Sequence, residues 1–156
     1  MRILHIPTKS DVVYCGVIAN TGTRDELQNE HGMAHLLEHL FFKGTKKRSQ
    51  YQVMNCLETV GGELNAYTTK EETVVYSIAL KRDFPRAVDL IMDIIFNSTI
   101  NEEELQKEKE VVKDEIDSYL DAPAESIIDD LEEVLFATGE IGESYREALG
   151  GLVEKK

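Results

Sequence analysis

Two periodicities alternate along this chain. Residues 2–7 and 12–19 are rich in β-branched and apolar side chains. They flank the turn-forming run Pro7-Thr8-Lys9-Ser10-Asp11, which predicts an antiparallel pair of strands. The second of these, Val12 to Ala19, is apolar enough to be expected at the centre of a sheet. After a polar loop at 20–30 the spacing becomes helical, from about Gly32 to Phe42. Met33, Leu36, Leu37 and Leu40 form one stripe, with His35, Glu38 and His39 on the adjoining face. Gly44 fits the stop of that helix.

A second helix is expected behind a Ser49 cap, with Val53, Met54, Leu57 and Val60 buried and Gly61-Gly62 at its end. Residues 63–69 and 73–80 read as strands, close enough to form a hairpin through Lys70-Glu71-Glu72. Asp83 is placed to cap a third helix, which tolerates Pro85 in its first turn and buries Phe84, Val88, Leu90, Ile91, Ile94 and Ile95. Asn101 and Glu104 have capping-box spacing for a helix to about Leu120, and Glu102-Glu103-Glu104 suit its positive end. Asp121-Ala122-Pro123 breaks that helix before a further amphipathic stretch carrying Ile127, Ile128, Leu131, Val134 and Leu135. The expected fold is α+β, a mostly antiparallel β-sheet with helices packed on it.

Composition narrows the class. At 156 residues, 42% hydrophobic and 30% charged, the chain is expected to be a single domain, 1–156, with a sizeable core. No apolar run approaches the roughly 20 residues of a membrane span. The net charge of −13 is uneven: residues 1–100 carry 11 basic and 12 acidic side chains, residues 101–156 carry 6 and 18. Acid concentrated in the last third argues against a nucleic-acid partner and reads as solvated helix faces. Cys15 and Cys56 belong to no Cys-x-x-Cys pair and are expected to be buried free thiols. With no leader pattern at the start, they favour a reducing, cytoplasmic setting. The chain opens inside an expected strand, so it also reads as trimmed.

The chemistry-bearing stretch is His31 to Thr45, HGMAHLLEHLFFKGT. His35 and His39 lie one helical turn apart with Glu38 on the same face. Two imidazoles so spaced can take two corners of a zinc tetrahedron, and the carboxylate beside them can take a proton from water at the metal. The order His-x-x-Glu-His is the inverzincin signature. A catalytic zinc needs a third protein ligand and an open position. The helix from 102 to 120 offers Glu108 and Glu115, seven apart and on nearly one face, but spacing does not exclude Glu104 or Asp114. His31 stands at the helix start, where a capping or solvent role is expected.

These residues resemble the signature of the pitrilysin, or M16, zinc metallopeptidases, the family of insulin-degrading enzyme and the mitochondrial processing peptidase. Gly61-Gly62-Glu63-Leu64-Asn65-Ala66-Tyr67-Thr68 is similar to its Gly-Gly-x-x-Asn-Ala-x-Thr strand, and Glu108 to Glu115 resembles its distal glutamate segment. The resemblance spans essentially the whole chain. It implies a LuxS/metallopeptidase-type domain, incomplete at both ends. It also implies Zn²⁺ held by His35, His39 and Glu115, with Glu38 as general base and Glu108 orienting a ligand histidine. Asn65 and Ala66 would belong to an edge strand that takes extended peptide substrate by strand addition. The implied activity is hydrolysis of peptides or presequence-like segments. The missing C-terminal half or a partner subunit would complete the enzyme, and self-association into a homodimer through open sheet edges is a further expectation. The competing expectation is a non-catalytic peptide-binding or subunit-assembly module of the same fold.

Overall fold

The computed structural model describes residues 2–122 apart from 28 and 31, together with 124, 127 and 131. Its elements, in chain order, are β1 (Val12–Ala19), α1 (Met33–Phe41), α2 (Gln50–Glu58), β2 (Glu63–Thr68), β3 (Thr73–Leu80), α3 (Phe84–Asn97) and α4 (Glu102–Leu120). The fold is α+β, as expected. The three strands form an antiparallel sheet in the order β1-β3-β2. The hairpin of β2 and β3 closes where Thr68 faces Thr73, and the Thr69 N–H donates to the Glu72 carbonyl at 2.8 Å.

Two expectations about the sheet are overturned. Residues 2–7 form no strand, and Ile3, Leu4 and Ile6 are 85%, 85% and 72% exposed. Apolar, β-branched composition does not make a strand without a ladder to join, and β1 pairs only with β3 among the described residues. The central strand is β3, not Val12–Ala19. β3 is hydrogen-bonded on both sides and buries Val74, Val75, Ser77 and Ala79, whereas β1, paired on one side only among the described residues, carries exposed and half-buried residues and no buried one.

The main core lies between this sheet, α2 and α3. Val53 and Leu57 of α2 meet Ala79 of β3 and Ala87, Leu90 and Ile94 of α3. Ser49 caps α2 as expected, in a reciprocal box with Gln52. Asn101 accepts the Glu104 N–H at 2.8 Å at the start of α4. Asp83 occupies the cap position of α3, but its side chain makes no capping bond and pairs instead with Arg82, because a 3₁₀ turn at Lys81–Asp83 leads into the helix. Met33, Met54 and Phe84, expected on buried stripes, are each about two-fifths exposed. Gly44 lies beyond the end of α1, where its φ of +135° turns the chain into a bridge with Ser49. Cys15 and Cys56 are free thiols but half-buried rather than buried. The expected helix through Ile127 to Leu135 lies largely outside the described residues.

A second, smaller core joins α1 to α4: Leu36 and Leu40 pack with Val112, flanked by Leu105. Burying Leu36, Leu40 and Val112 contributes about 1.5–3 kcal/mol each. A polar latch holds the chain that leaves α1. Buried Asp93 on α3 accepts from the Thr45 hydroxyl at 2.7 Å, from Asn97 at 3.0 Å, and from Arg48, which also grips Asp89. Burial pushes the Asp93 carboxyl up, but the bonds from Thr45 and Arg48 outweigh it and hold it below the usual carboxylate range. Its stabilising contribution is therefore present above an ordinary aspartate pKa of about 3.9 and is lost as pH falls through the lowered native value. Asp93→Ala, which leaves Arg48 short of its buried partner, is expected to cost about 3–5 kcal/mol in chemical denaturation. Asp93→Asn should flatten the acid limb of stability against pH; an unchanged limb would contradict this account of the latch.

Candidate metal centre

Helix α1 is only nine residues long and begins without a capping side chain of its own. Gly32 sits at φ +83°, a conformation glycine adopts at no steric cost. The first N–H groups are satisfied from upstream, where the Glu26 carboxylate accepts from Gly32 N–H at 2.6 Å and Ala34 N–H at 2.7 Å. A negative group at the positive end of the helix also complements its dipole. Glu26 was not legible in advance; the only signal is an acid a few residues before a helix that lacks a Ser, Thr, Asp or Asn cap. His31 lies outside the described residues.

With α1 fixed, its polar face brings the histidines together. The rings of His35 and His39 stack with centroids 4.8 Å apart, and their Nε2 atoms are 2.8 Å from each other. A carboxylate oxygen of Glu115 lies 3.4 Å from each of those two nitrogens. The three side chains offer one donor atom each, all within 4.8 Å of one another. Zinc ligands at about 2.0–2.1 Å in a tetrahedron stand roughly 3.3 Å apart, so the donor set fits the metal. Of the acids that spacing left open, Glu115 is the one beside both rings; Glu104 pairs with Lys107 and Asp114 is exposed.

Burial and charge prepare the histidines. The His35 side chain is 10% exposed, and desolvation followed by the neighbouring His39 lowers its pKa, against the raising effect of Glu38 and Glu115. The neutral imidazole, the form that ligates metal, is thereby favoured. His39 presents Nδ1 to the Glu108 carboxylate at 3.2 Å, leaving Nε2 to face His35 and Glu115. Glu108 is 5% exposed, and its other oxygen is 2.5 Å from Lys43 Nζ. The Glu115 side chain is 48% exposed, so the site opens to solvent on that side.

Glu38 lies on the same helix, one turn after His35 and next to His39. It lines an open cleft of about 340 Å³ together with His39, Lys43, Asn65, Ala66 and Glu108. Asn65 and Ala66 come from β2, an edge strand among the described residues, with Asn65 exposed and Ala66 half-buried. His35, Glu38, His39, Asn65, Ala66, Glu108 and Glu115 thus lie around one cleft and the cluster beside it.

An α+β fold with a His-x-x-Glu-His helix facing a distal glutamate defines a class, and comparison with known proteins gives the family. The insulinase (peptidase family M16) family model matches residues 2–148, and the chain belongs to that family. It is 39% identical over 130 residues to the protein named uncharacterized zinc protease YmxG of Bacillus subtilis, covering 83% of this chain and 32% of that one. It is 48% identical over 97 residues to the mitochondrial-processing peptidase subunit beta of Mus musculus, covering 62% and 20%. A protease from Helicobacter pylori shares the fold with a TM-score of 0.86 at 22% identity, covering 96% of this chain and 37% of that one. The chain therefore spans a third or less of the length of these curated relatives.

A zinc ion held by this cluster in the native state alone would stabilise the fold by about 2.7 kcal/mol at a hundred times its Kd. Thermal melts with zinc against EDTA should show that shift, and His35→Ala or Glu115→Gln should abolish it. An undiminished shift in either variant would place the metal elsewhere.

Proposed function

We propose that this chain is the zinc-binding catalytic unit of a metalloendopeptidase, with His35, His39 and Glu115 as metal ligands and Glu38 as general base. The observation that carries the reading is the convergence of His35 Nε2, His39 Nε2 and the Glu115 carboxylate beside a cleft that also holds Glu38 and the β2 edge. Membership of a family whose relatives are named zinc proteases supports it. Zinc, when bound, supplies a Lewis acid that brings the pKa of water to about 7.

The chain's own residues do the rest. Asn65 and Ala66 lie on β2, whose outer edge meets no further strand among the described residues, so an extended peptide can add there as a further strand. That mode holds the scissile bond by main-chain hydrogen bonds and reads shape more than sequence. Glu38, on the cleft wall, takes the proton from the attacking water and returns it to the leaving amine. Glu108 holds the His39 ring by its Nδ1, so that Nε2 stays turned to the metal position.

Because the chain spans a third or less of its curated relatives, the proposal extends to an N-terminal domain working with further chain or with a partner subunit that closes over the peptide and excludes water. The mitochondrial-processing peptidase relatives are themselves named as subunits. Glu38→Gln is expected to keep zinc stoichiometry while losing about 10²–10⁴-fold in turnover of a quenched fluorescent peptide. Wild-type turnover in the metal-replete variant would refute the base. Zinc-loaded parent protein with no turnover at all would favour a peptide-binding module.

A further inference from the structure

His39 lies in the last turn of α1 and Lys43 two residues past its end, and the carboxylate of Glu108 on α4 meets both side chains. One carboxylate oxygen meets Lys43 Nζ at 2.5 Å and the other meets His39 Nδ1 at 3.2 Å. The ion pair is largely out of water, with side-chain exposures of 18% for Lys43 and 6% for Glu108. The backbone of Lys43 is fixed from both sides. Its N–H donates to the Leu40 carbonyl at 3.1 Å, and Thr45, two residues on, is held by Asp93.

From this arrangement we propose that Lys43 is a positioning residue for the metal centre, acting on His39 through Glu108. A carboxylate on a glutamate stem turns readily about its terminal bonds, so the histidine alone does not fix it. A second, charged donor on the far oxygen does. With Lys43 anchoring that oxygen, the near oxygen stays aimed at Nδ1, and His39 keeps its proton there and its Nε2 lone pair toward His35 and Glu115. Losing Lys43 also leaves the buried Glu108 charge without its cation, which frees the carboxylate to turn toward water. The inference rests on the zinc reading above and adds to it a residue outside the ligand set and its immediate hydrogen-bond partner.

The test is zinc affinity of the full chain by chelator competition, beside ¹⁵N spectra of the metal-free histidines. Lys43→Met is expected to weaken zinc about 10–100-fold, the range for losing an outer partner of a ligand histidine, and to redistribute the His39 tautomers away from Nδ1–H. Lys43→Arg should restore most of the affinity. Lys46→Met, which removes an equal charge from an exposed position three residues on, should leave it unchanged. In a Glu108→Gln background, which also relieves the orphaned charge, Lys43→Met should add no further loss. Wild-type affinity in Lys43→Met, equal losses in Lys43→Met and Lys46→Met, or additive losses in the double variant would overturn the role of Lys43. A wild-type chain that binds no zinc would overturn the metal reading itself.

Discussion

The contact on which this molecule's chemistry depends is the packing of Leu36 and Leu40 against Val112. It joins a nine-residue helix to a nineteen-residue one from a distant part of the sequence. In α4, Glu108, Val112 and Glu115 follow at i, i+4 and i+7, so the residue that buries apolar surface and the two acids that meet the histidines share one stripe. In α1 the leucines alternate with His35 and His39 in the same way. Docking the apolar halves of the two stripes necessarily brings the polar halves face to face. The hydrophobic contact therefore sets the position of the cluster, and the cluster fills what the contact leaves open.

Short helices are marginal on their own, and α1 is far below the length at which an isolated helix persists in water. Three carboxylates hold it from different directions. Glu26 closes its N-terminal N–H groups, Glu108 bridges His39 and Lys43 at its far end, and Asp93 ties down the chain that follows through Thr45 and Arg48. Each acid is answered by donors, and Glu108 and Asp93 are buried, where an unanswered charge would cost several kcal/mol. Polar groups thus hold the helix while the leucines bury its other face. The cleft side, lined by Glu38 and the β2 edge, is left open.

Much of this was legible in the sequence, and the divide between what was and was not is physical. Local rules carried the helices and the hairpin. The i, i+3, i+4 spacing put His35, Glu38 and His39 on one face, Ser49 and Asn101 capped the helices they precede, and a short polar run through Lys70-Glu71-Glu72 closed β2 onto β3. Composition failed where pairing decides. Residues 2–7 look like a strand yet have no ladder, and β3 is central because it has two neighbours, which its residue types alone do not reveal. Selecting Glu115 over Glu104 or Asp114 also needed information beyond spacing. The resemblance pointed to it, and the α1–α4 docking places it beside both rings. Glu26 and Lys43 were invisible because each acts on a partner reached through the fold: Glu26 across the loop before α1, Lys43 on a helix more than sixty residues away.

The central claim is that two imidazoles and one carboxylate, brought together by that docking, hold a zinc ion. X-ray absorption at the zinc edge on the loaded chain tests it most directly. The account predicts two imidazole nitrogens and at least one oxygen at about 2.0–2.1 Å, with no sulfur shell at about 2.3 Å. A sulfur shell from Cys15 or Cys56, or a spectrum with no imidazole scattering, would contradict it.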